Sequence, residues 1–281
     1  MMANSIQSLL KQASIELSSI SDSAYLDAEL LLAHCLDKNR TYLHTWPETN
    51  LNNTQLASFN SLIKKRLTDY PVAYLLGTKP FWTLDLMVTP DVLIPRPETE
   101  LLVELALDKI KDIRNPKILD LGTGSGAIAL ALASERNDAK IIATDNSEVA
   151  LQVAKKNAAK LKLDQQVSFI KSNWLDQVTD NNFDLIVSNP PYIDPEDIHL
   201  QGTIRHEPLQ ALIADDYGML DIKKITQKSH SFLTTSGWLI LEHGFDQAEK
   251  VSRLMEKGHY FETKNYLDLN NNWRVTLGCK H

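Results

Sequence analysis

Lys117-Ile118-Leu119-Asp120-Leu121-Gly122-Thr123-Gly124-Ser125-Gly126 decides the fold of this chain. A short apolar run, extended in character, ends in Asp120-Leu121 and enters three alternating glycines, after which Ala127 to Ala133 is strongly helix-forming. Strand, glycine turn and helix in that order open a parallel sheet whose ligand space lies at the carboxyl ends of its strands. The whole chain holds ten glycines, so three within five residues need a cause. Glycine permits a tight turn and lets a ligand approach the main-chain N–H groups of a helix start. The order Asp-x-Gly-x-Gly-x-Gly departs from the dinucleotide pattern Gly-x-Gly-x-x-Gly. Its third glycine comes one residue early and an acid precedes the loop, which points to a nucleotide-like ligand without a pyrophosphate.

Downstream, Ile141 to Thr144, Val167 to Lys171, Asp184 to Ser188 and Trp238 to Glu242 are further short apolar runs separated by helical segments. Tyr260 to Leu267 and Trp273 to Leu277 read as two more strands that close the sheet as a hairpin. The expected fold class is α/β: a doubly wound, mostly parallel seven-stranded sheet over residues 96–281. Upstream, glycine is absent from Ile6 to Leu67 and apolar residues recur at helical spacing, as at Leu26, Leu30, Leu31 and His34 with Cys35. Residues 1–75 therefore form a small helical bundle. Residues 76–95 form a β-hairpin linker, with Phe81 to Val88 as one strand, a turn at Thr89-Pro90-Asp91, and Val92 to Ile94 as the other. Pro95 and Pro97 bar a continuing strand, and Glu98-Thr99-Glu100 opens a helix that runs to Ile110.

Composition narrows the function classes. With 281 residues, 43% hydrophobic and 23% charged, the chain is an ordinary globular one, long enough for two unequal domains. A net charge of -7 disfavours direct nucleic acid binding. The one basic run, Lys64-Lys65-Arg66, reads as a solvated helix face. Cys35 and Cys279 lack the spacing of a metal site or a disulfide framework, so a reduced, cytoplasmic protein is expected. Residues 1–20 lack the pattern of a secretory leader, and no apolar run is long enough to span a membrane. His34, His206 and His243 lack metal-ligand spacing, and no metal is expected.

The chemistry gathers at two further strand ends. Asp145 ends the strand after the glycine loop, where a carboxylate can accept hydrogen bonds from both hydroxyls of a ribose. The next-but-one strand stops at Asn189-Pro190-Pro191-Tyr192. In a doubly wound sheet that strand lies beside the first, so this tetrad faces the glycine loop across one crevice. Two prolines stiffen the loop and leave the Asn189 amide and the Pro190 carbonyl as fixed hydrogen-bonding groups, with Tyr192 as an aromatic wall. Those groups suit a planar NH2. Accepting both of its hydrogens would aim the nitrogen lone pair at an electrophile such as a methyl sulfonium.

The glycine loop and the tetrad, with Asp27 to Leu32, Pro71-Val72-Ala73-Tyr74-Leu75-Leu76-Gly77, Phe81-Trp82 and the run Pro90 to Glu100, resemble the release factor glutamine methyltransferases. That family methylates the glutamine of the Gly-Gly-Gln loop in peptide chain release factors, and the resemblance spans nearly the whole chain. It implies S-adenosylmethionine as cofactor and S-adenosylhomocysteine as product. It implies cofactor contacts at Gly122, Thr123, Gly124, Ser125, Gly126, Asp145, Trp174 and Asn189, with Trp174 bordering the adenine. It implies that Asn189, Pro190, Pro191 and Tyr192 hold the substrate glutamine, with Asn189, Pro190 and Tyr192 catalytic. A monomer whose helical domain recognises the release factor is the corresponding expectation. Asn173 stands where many relatives carry an acid, which bears on cofactor affinity. The tetrad is also similar to that of adenine N6 methyltransferases, in which Tyr192 would stack on a flipped base; the chain's acidity argues against that reading. Arg96, Arg205 and Glu207 read as members of structural ion pairs.

Overall fold

The computed structural model describes residues 4–197 and 202–281. The chain divides into two units, Met1–Thr78 with Gln201–His206, and Lys79–Leu200 with Glu207–His281.

The first unit is helical: α1 (Ile6–Leu17), α2 (Ala24–Leu36), α3 (Arg40–Thr45), α4 (Asn53–Arg66) and α5 (Val72–Leu76). Side-chain caps set three of the starts. Ser5 and Asn39 accept from Ser8 N and Tyr42 N, and Asn52 with Gln55 forms a reciprocal capping box. The core gathers Ile6, Leu17, Leu31, Leu32, Leu43 and Phe59. The inward face of α2 differs from the one its apolar spacing suggests. Leu26 and His34 are exposed, whereas Asp27 and Glu29 are buried. The reason is pairing: Arg66 Nε donates to Asp27 Oδ2 at 2.9 Å, and Glu29 meets Arg40 Nε at 2.8 Å and His44 Nε2 at 2.8 Å. A buried acid is tolerated when a cation meets it. Arg66 accordingly leaves the solvated basic face and enters the core at 5% exposure. Arg205 pairs with Asp69 and donates to the Thr68 carbonyl.

The hairpin is β1 (Thr78–Phe81) and β2 (Leu84–Met87). Its turn is Trp82-Thr83, seven residues before the turn expected at Thr89–Asp91, and Val92 to Ile94 is not a strand. Trp82 takes φ 56°, a conformation that composition does not announce for a bulky aromatic. It is held there by its N–H on Glu100 Oε1 (2.8 Å) and its indole N–H on Glu135 Oε1 (2.7 Å).

A 3-10 turn at Pro97–Thr99 leads into α6 (Glu100–Ile110). There follow β3 (Lys117–Leu121), α7 (Ala127–Glu135), β4 (Lys140–Asp145), α8 (Glu148–Leu161), β5 (Val167–Lys171), β6 (Phe183–Ser188), the short α9 (Asp215–Gly218), α10 (Leu220–Phe232), β7 (Leu233–Glu242), α11 (Ala248–Lys257), β8 (Tyr260–Leu267) and β9 (Trp273–Lys280). The seven-stranded sheet runs β5-β4-β3-β6-β7-β9-β8, with β8 and β9 antiparallel to one another and β9 antiparallel to β7. Alternate residues of each central strand serve opposite faces, as a pleated strand requires. Ile118, Leu185 and Ile240 pack with α6 and α7, while Leu119, Ile186 and Leu241 pack with α10 and α11. Both faces being covered, the strands read as nearly continuous apolar runs. Because β3 pairs with β4 on one side and β6 on the other, the chain reverses its winding beside β3, and the carboxyl ends of these three strands open one crevice. Among the described residues no helix is long and apolar enough to cross a membrane.

Asn157, fully buried on α8, ties the hairpin to the glycine loop. Its Nδ2 donates to the Met87 carbonyl (3.0 Å) and the Ser125 carbonyl (2.9 Å), and Met87 N donates to its Oδ1 (2.7 Å). Asn157→Ala strands a donor and two acceptors in the interior. It is expected to lower stability by about 3 kcal/mol, read as a shift of the denaturation midpoint of the larger unit.

Candidate active site

The crevice at the carboxyl ends of β3, β4 and β6 is a cleft of about 270 Å³. Gly122, Gly124, Asp145, Trp174, Asn189 and Pro191 line it, together with Asn173 and Asp221. Thr123, Ser125, Gly126, Pro190 and Tyr192, also singled out by the sequence, are not among its lining residues. Thr123 Oγ1 donates to Asp120 Oδ2 (2.6 Å) and its N–H reaches the Thr144 carbonyl (2.8 Å), fastening the loop to β4. Gly126 N closes the turn on the Thr123 carbonyl.

Asp145 does two things at once. Its Oδ2 accepts from Gly124 N (2.9 Å) and its Oδ1 from Ser147 N (2.8 Å), so the carboxylate pins the glycine loop against the start of α8. Asp145 lines the cleft and each oxygen keeps a further lone pair, which is what a vicinal diol needs. Burial raises its pKa, and the N–H donors of Ser147, Gly124 and Asn146 oppose that rise. Trp174 is fixed by its indole N–H on Asp221 Oδ1 (3.1 Å). Its ring lies so close to Gly122 that a Cβ there would stand 3.1 Å from Cζ3, and Gly122 takes φ +73°, both of which favour glycine at this position. No signal in the sequence pointed to Asp221.

The tetrad continues from β6. Ser188 Oγ donates to the Leu121 carbonyl (2.7 Å), locking the two strand ends together. Asn189 Nδ2 donates to Thr99 Oγ1 (3.2 Å). The Tyr192 hydroxyl donates to Glu242 Oε1 (3.3 Å), and its ring packs on the core between the sheet and α10–α11. Burial, then the neighbouring Glu242 charge, raises the Tyr192 pKa, so its hydroxyl keeps its proton. Thr99 and Glu242 are 4% and 1% exposed, and sequence reasoning missed both. Thr99 lies in the Pro90 to Glu100 run, but only the packing of β7 beside β6 brings Glu242 to it. Arg96 and Glu207 form an ion pair, and Glu207 Oε2 also accepts from Ile94 N (3.0 Å), so this acid anchors the segment that leads into Thr99. His243 is buried between the Gly244 carbonyl (2.8 Å) and Thr276 Oγ1 (2.7 Å), and burial lowers its pKa to about 4, leaving a neutral ring.

Two buried acids hold residues of the glycine loop and the tetrad: Asp120 takes the Thr123 hydroxyl and Glu242 the Tyr192 hydroxyl. Burial raises Asp120 and Glu242 to about 7, and Asp120 Oδ1 and Glu242 Oε2 have no hydrogen-bond partner. Glu242 therefore holds its proton more tightly when folded than when unfolded, where a glutamate titrates near ~4.3. The stabilisation is complete below that value and is lost as pH rises through about 7. The stability advantage of the wild type over Glu242→Gln is thus expected to shrink by on the order of 3 kcal/mol between pH 5 and pH 8. Parallel denaturation curves at the two pH values would refute the assignment.

Fold and cleft together define an α/β methyltransferase. Residues 97–223 match the family model of the methyltransferase small domain, and residues 8–77 match that of the PrmC N-terminal domain. A methyltransferase structure from Pyrococcus furiosus superposes with a TM-score of 0.53 at 21% identity, covering 70% of this chain and 89% of that one, a likeness of fold. The chain is 47% identical to the release factor glutamine methyltransferase of Shewanella oneidensis, over 97% of this chain and 95% of that protein. It is 44% identical to the one of Escherichia coli K12, over 97% and 98%. The chain belongs to the release factor glutamine methyltransferase family.

Proposed function

We propose that the protein transfers a methyl group from S-adenosylmethionine to the side-chain amide nitrogen, N5, of the glutamine in the Gly-Gly-Gln motif of peptide chain release factors. The observation that carries this reading is that Asn189 shares one cleft with Gly122, Gly124 and Asp145. A nucleoside-binding loop and a group able to hold an amide thus face the same space.

The cleft fits the cofactor. Gly122 and Gly124 both have positive φ, and Gly124 has open space where a side chain would stand, so a ligand can approach the loop backbone. Asp145 suits the ribose hydroxyls and Trp174 the adenine, with Thr123, Ser125 and Gly126 holding the loop in shape. When bound, S-adenosylmethionine supplies an electrophilic methyl on a sulfonium. The protein's share is position. An amide nitrogen is a poor nucleophile because its lone pair is delocalised; Asn189 Oδ1 and the Pro190 carbonyl accept its two hydrogens and turn the lone pair toward the methyl. As the bond forms, positive charge grows on nitrogen and both hydrogen bonds strengthen, which favours the transition state over the ground state; the neutral thioether S-adenosylhomocysteine leaves, and the methylated nitrogen gives up one of its protons to solvent. Pro191 stiffens the loop where it lines the cleft, and Tyr192 anchors it through its hydroxyl on Glu242.

On this reading residues 1–75 recognise the release factor, residues 76–95, with the hairpin at Thr78–Met87, form the linker, and residues 96–281 carry the chemistry. The protein acts as a cytoplasmic monomer on a protein partner, without nucleic acid. The test is methyl transfer from labelled S-adenosylmethionine to a purified release factor, to the same factor with the Gly-Gly-Gln glutamine replaced, and to duplex DNA. Label on the intact factor alone supports the proposal. Label on DNA favours the adenine reading, and label on neither rejects both.

A further inference from the structure

We infer that Gln247 is a positioning residue of the cleft: its side-chain amide pins the peptide plane that closes the Asn189–Tyr192 loop, and through it the Pro190 carbonyl. The inference rests on the proposed amide-methylating role of the cleft and deepens it.

Pro190 and Pro191 stiffen the loop but remove two N–H groups, so it has few donors of its own with which to be fastened. It is tied at its ends instead. At the first, Ser188 Oγ donates to the Leu121 carbonyl (2.7 Å). At the second, the peptide plane between Tyr192 and Ile193 is held on both edges. The Tyr192 carbonyl accepts from Gln247 Nε2 (3.0 Å), and the Ile193 N–H donates to the Leu212 carbonyl (2.9 Å). The Tyr192 hydroxyl on Glu242 fixes the ring, not this plane. With φ of both prolines locked by their rings, a tilt at Tyr192 is passed back to the Pro190 carbonyl rather than absorbed on the way.

Gln247 meets this need in one orientation only. Its Oε1 accepts from Gly244 N (2.9 Å), and the two Nε2 protons go to the Tyr192 and Tyr217 carbonyls (3.0 and 3.2 Å). Turned over, the amide would set its NH2 against an N–H and its oxygen against two carbonyls. The backbone is fixed as well, since Gln247 N donates to the Gly244 carbonyl (3.0 Å) and the Gln247 carbonyl takes Val251 N (3.0 Å) at the start of α11. The residue is 4% exposed, so water does not replace a lost bond. An ionised glutamate has no donor to offer here, and methionine has none at all.

Gln247→Met keeps the length of the side chain and removes all three of its hydrogen bonds. It is expected to lower kcat, counted per cofactor-binding site, about tenfold, with release factor KM and cofactor Kd within about threefold. Counting per site separates positioning from folding, because a molecule that has merely unfolded drops out of both the rate and the count. Tyr260→Phe is the control. It removes a buried hydrogen bond to the Thr226 carbonyl (3.1 Å) at the opposite end of the sheet from Glu242, and its rate per site should stay within about twofold of wild type. The second readout needs neither cofactor nor substrate. Hydrogen exchange of the Ile193 N–H, which shares the clamped plane, should quicken about fivefold or more in Q247M and stay unchanged in Y260F. If Q247M does not fold, Gln247→Glu at pH 6 takes its place. Burial keeps the introduced carboxyl protonated, so one O–H serves two carbonyls, and the rate per site should fall about threefold while Ile193 exchange quickens. The inference is overturned if the folded variant matches wild type in rate per site or in Ile193 exchange, or if Y260F falls with it. A wild type that methylates no release factor would defeat the proposed function, while Ile193 exchange would still decide whether Gln247 clamps the loop.

Discussion

Asn189→Ala is expected to lower kcat for methyl transfer by about 10²–10³-fold while changing cofactor Kd by less than about tenfold. The size follows from where the hydrogen bond does its work. In the bound ground state a neutral amide N–H on Oδ1 is one ordinary hydrogen bond, worth about 1 kcal/mol net. As the methyl is transferred the same N–H becomes strongly acidic and the bond becomes charge-assisted, roughly twice as strong. The alanine variant loses that difference and the geometric aim together, because the Pro190 carbonyl alone leaves the substrate amide free to swing about one contact. The effect belongs in kcat more than in KM, since the contact matters most in the transition state. On the proposed reading cofactor binding keeps the glycine loop, Asp145 and Trp174, and titration with S-adenosylmethionine checks that they are intact. A variant within tenfold of the wild-type kcat would remove Asn189 from its assigned role.

What the sequence could and could not reveal follows from how local each determinant is. β3, β4 and β6 were legible because strands covered on both faces are largely apolar, and they run into Gly122, end on Asp145 and run into Asn189-Pro190 respectively, whereas the edge strands β5 and β8 carry exposed polar residues and were legible from their β-branched and aromatic residues. The glycine loop and tetrad were legible because their backbone needs particular residues at particular places. The face of α2 was not. Asp27 and Glu29 point inward because Arg66, 39 residues from Asp27, and Arg40 meet them, and pairing over such a distance leaves no periodic trace. The hairpin turn was misplaced for the same reason, since Trp82 is held in a left-handed conformation by acids on α6 and α7. At the site, Asp221 and Glu242 act through tertiary contacts with Trp174, Thr99 and Tyr192. An acid at the end of an apolar strand, such as Glu242, looks in sequence like an ordinary strand terminus.

Gly218→Ala is expected to be the most damaging single methyl in the larger unit, although Gly218 lies far in sequence from the tetrad. A Cβ at this position would stand 2.0 Å from the Tyr192 carbonyl oxygen, 2.7 Å from its carbon and 2.8 Å from Gln247 Nε2. None of these atoms is the loose end of an exposed side chain. Asp216, Tyr217 and Gly218 form a run of left-handed residues, and buried Gln247 stitches it to the tetrad by donating to the Tyr192 (3.0 Å) and Tyr217 (3.2 Å) carbonyls. Relieving the clash means moving the Tyr192 carbonyl by an ångström or more, or breaking the Gln247 clamp. A displacement of that size at a positioned reactive group costs about 10²-fold in rate, and the overpacking with its lost hydrogen bonds costs about 3 to 5 kcal/mol of stability. Gly77→Ala isolates the steric part. Gly77 has nearly the same φ, +71° against +74°, but nothing within 4 Å of the added methyl, so it carries only the left-handed penalty of roughly 1 to 2 kcal/mol. Denaturation midpoints of the two variants should therefore separate widely, and a G218A protein as stable and as active as G77A would mean that the Tyr192 loop yields freely and does not hold the substrate amide in place.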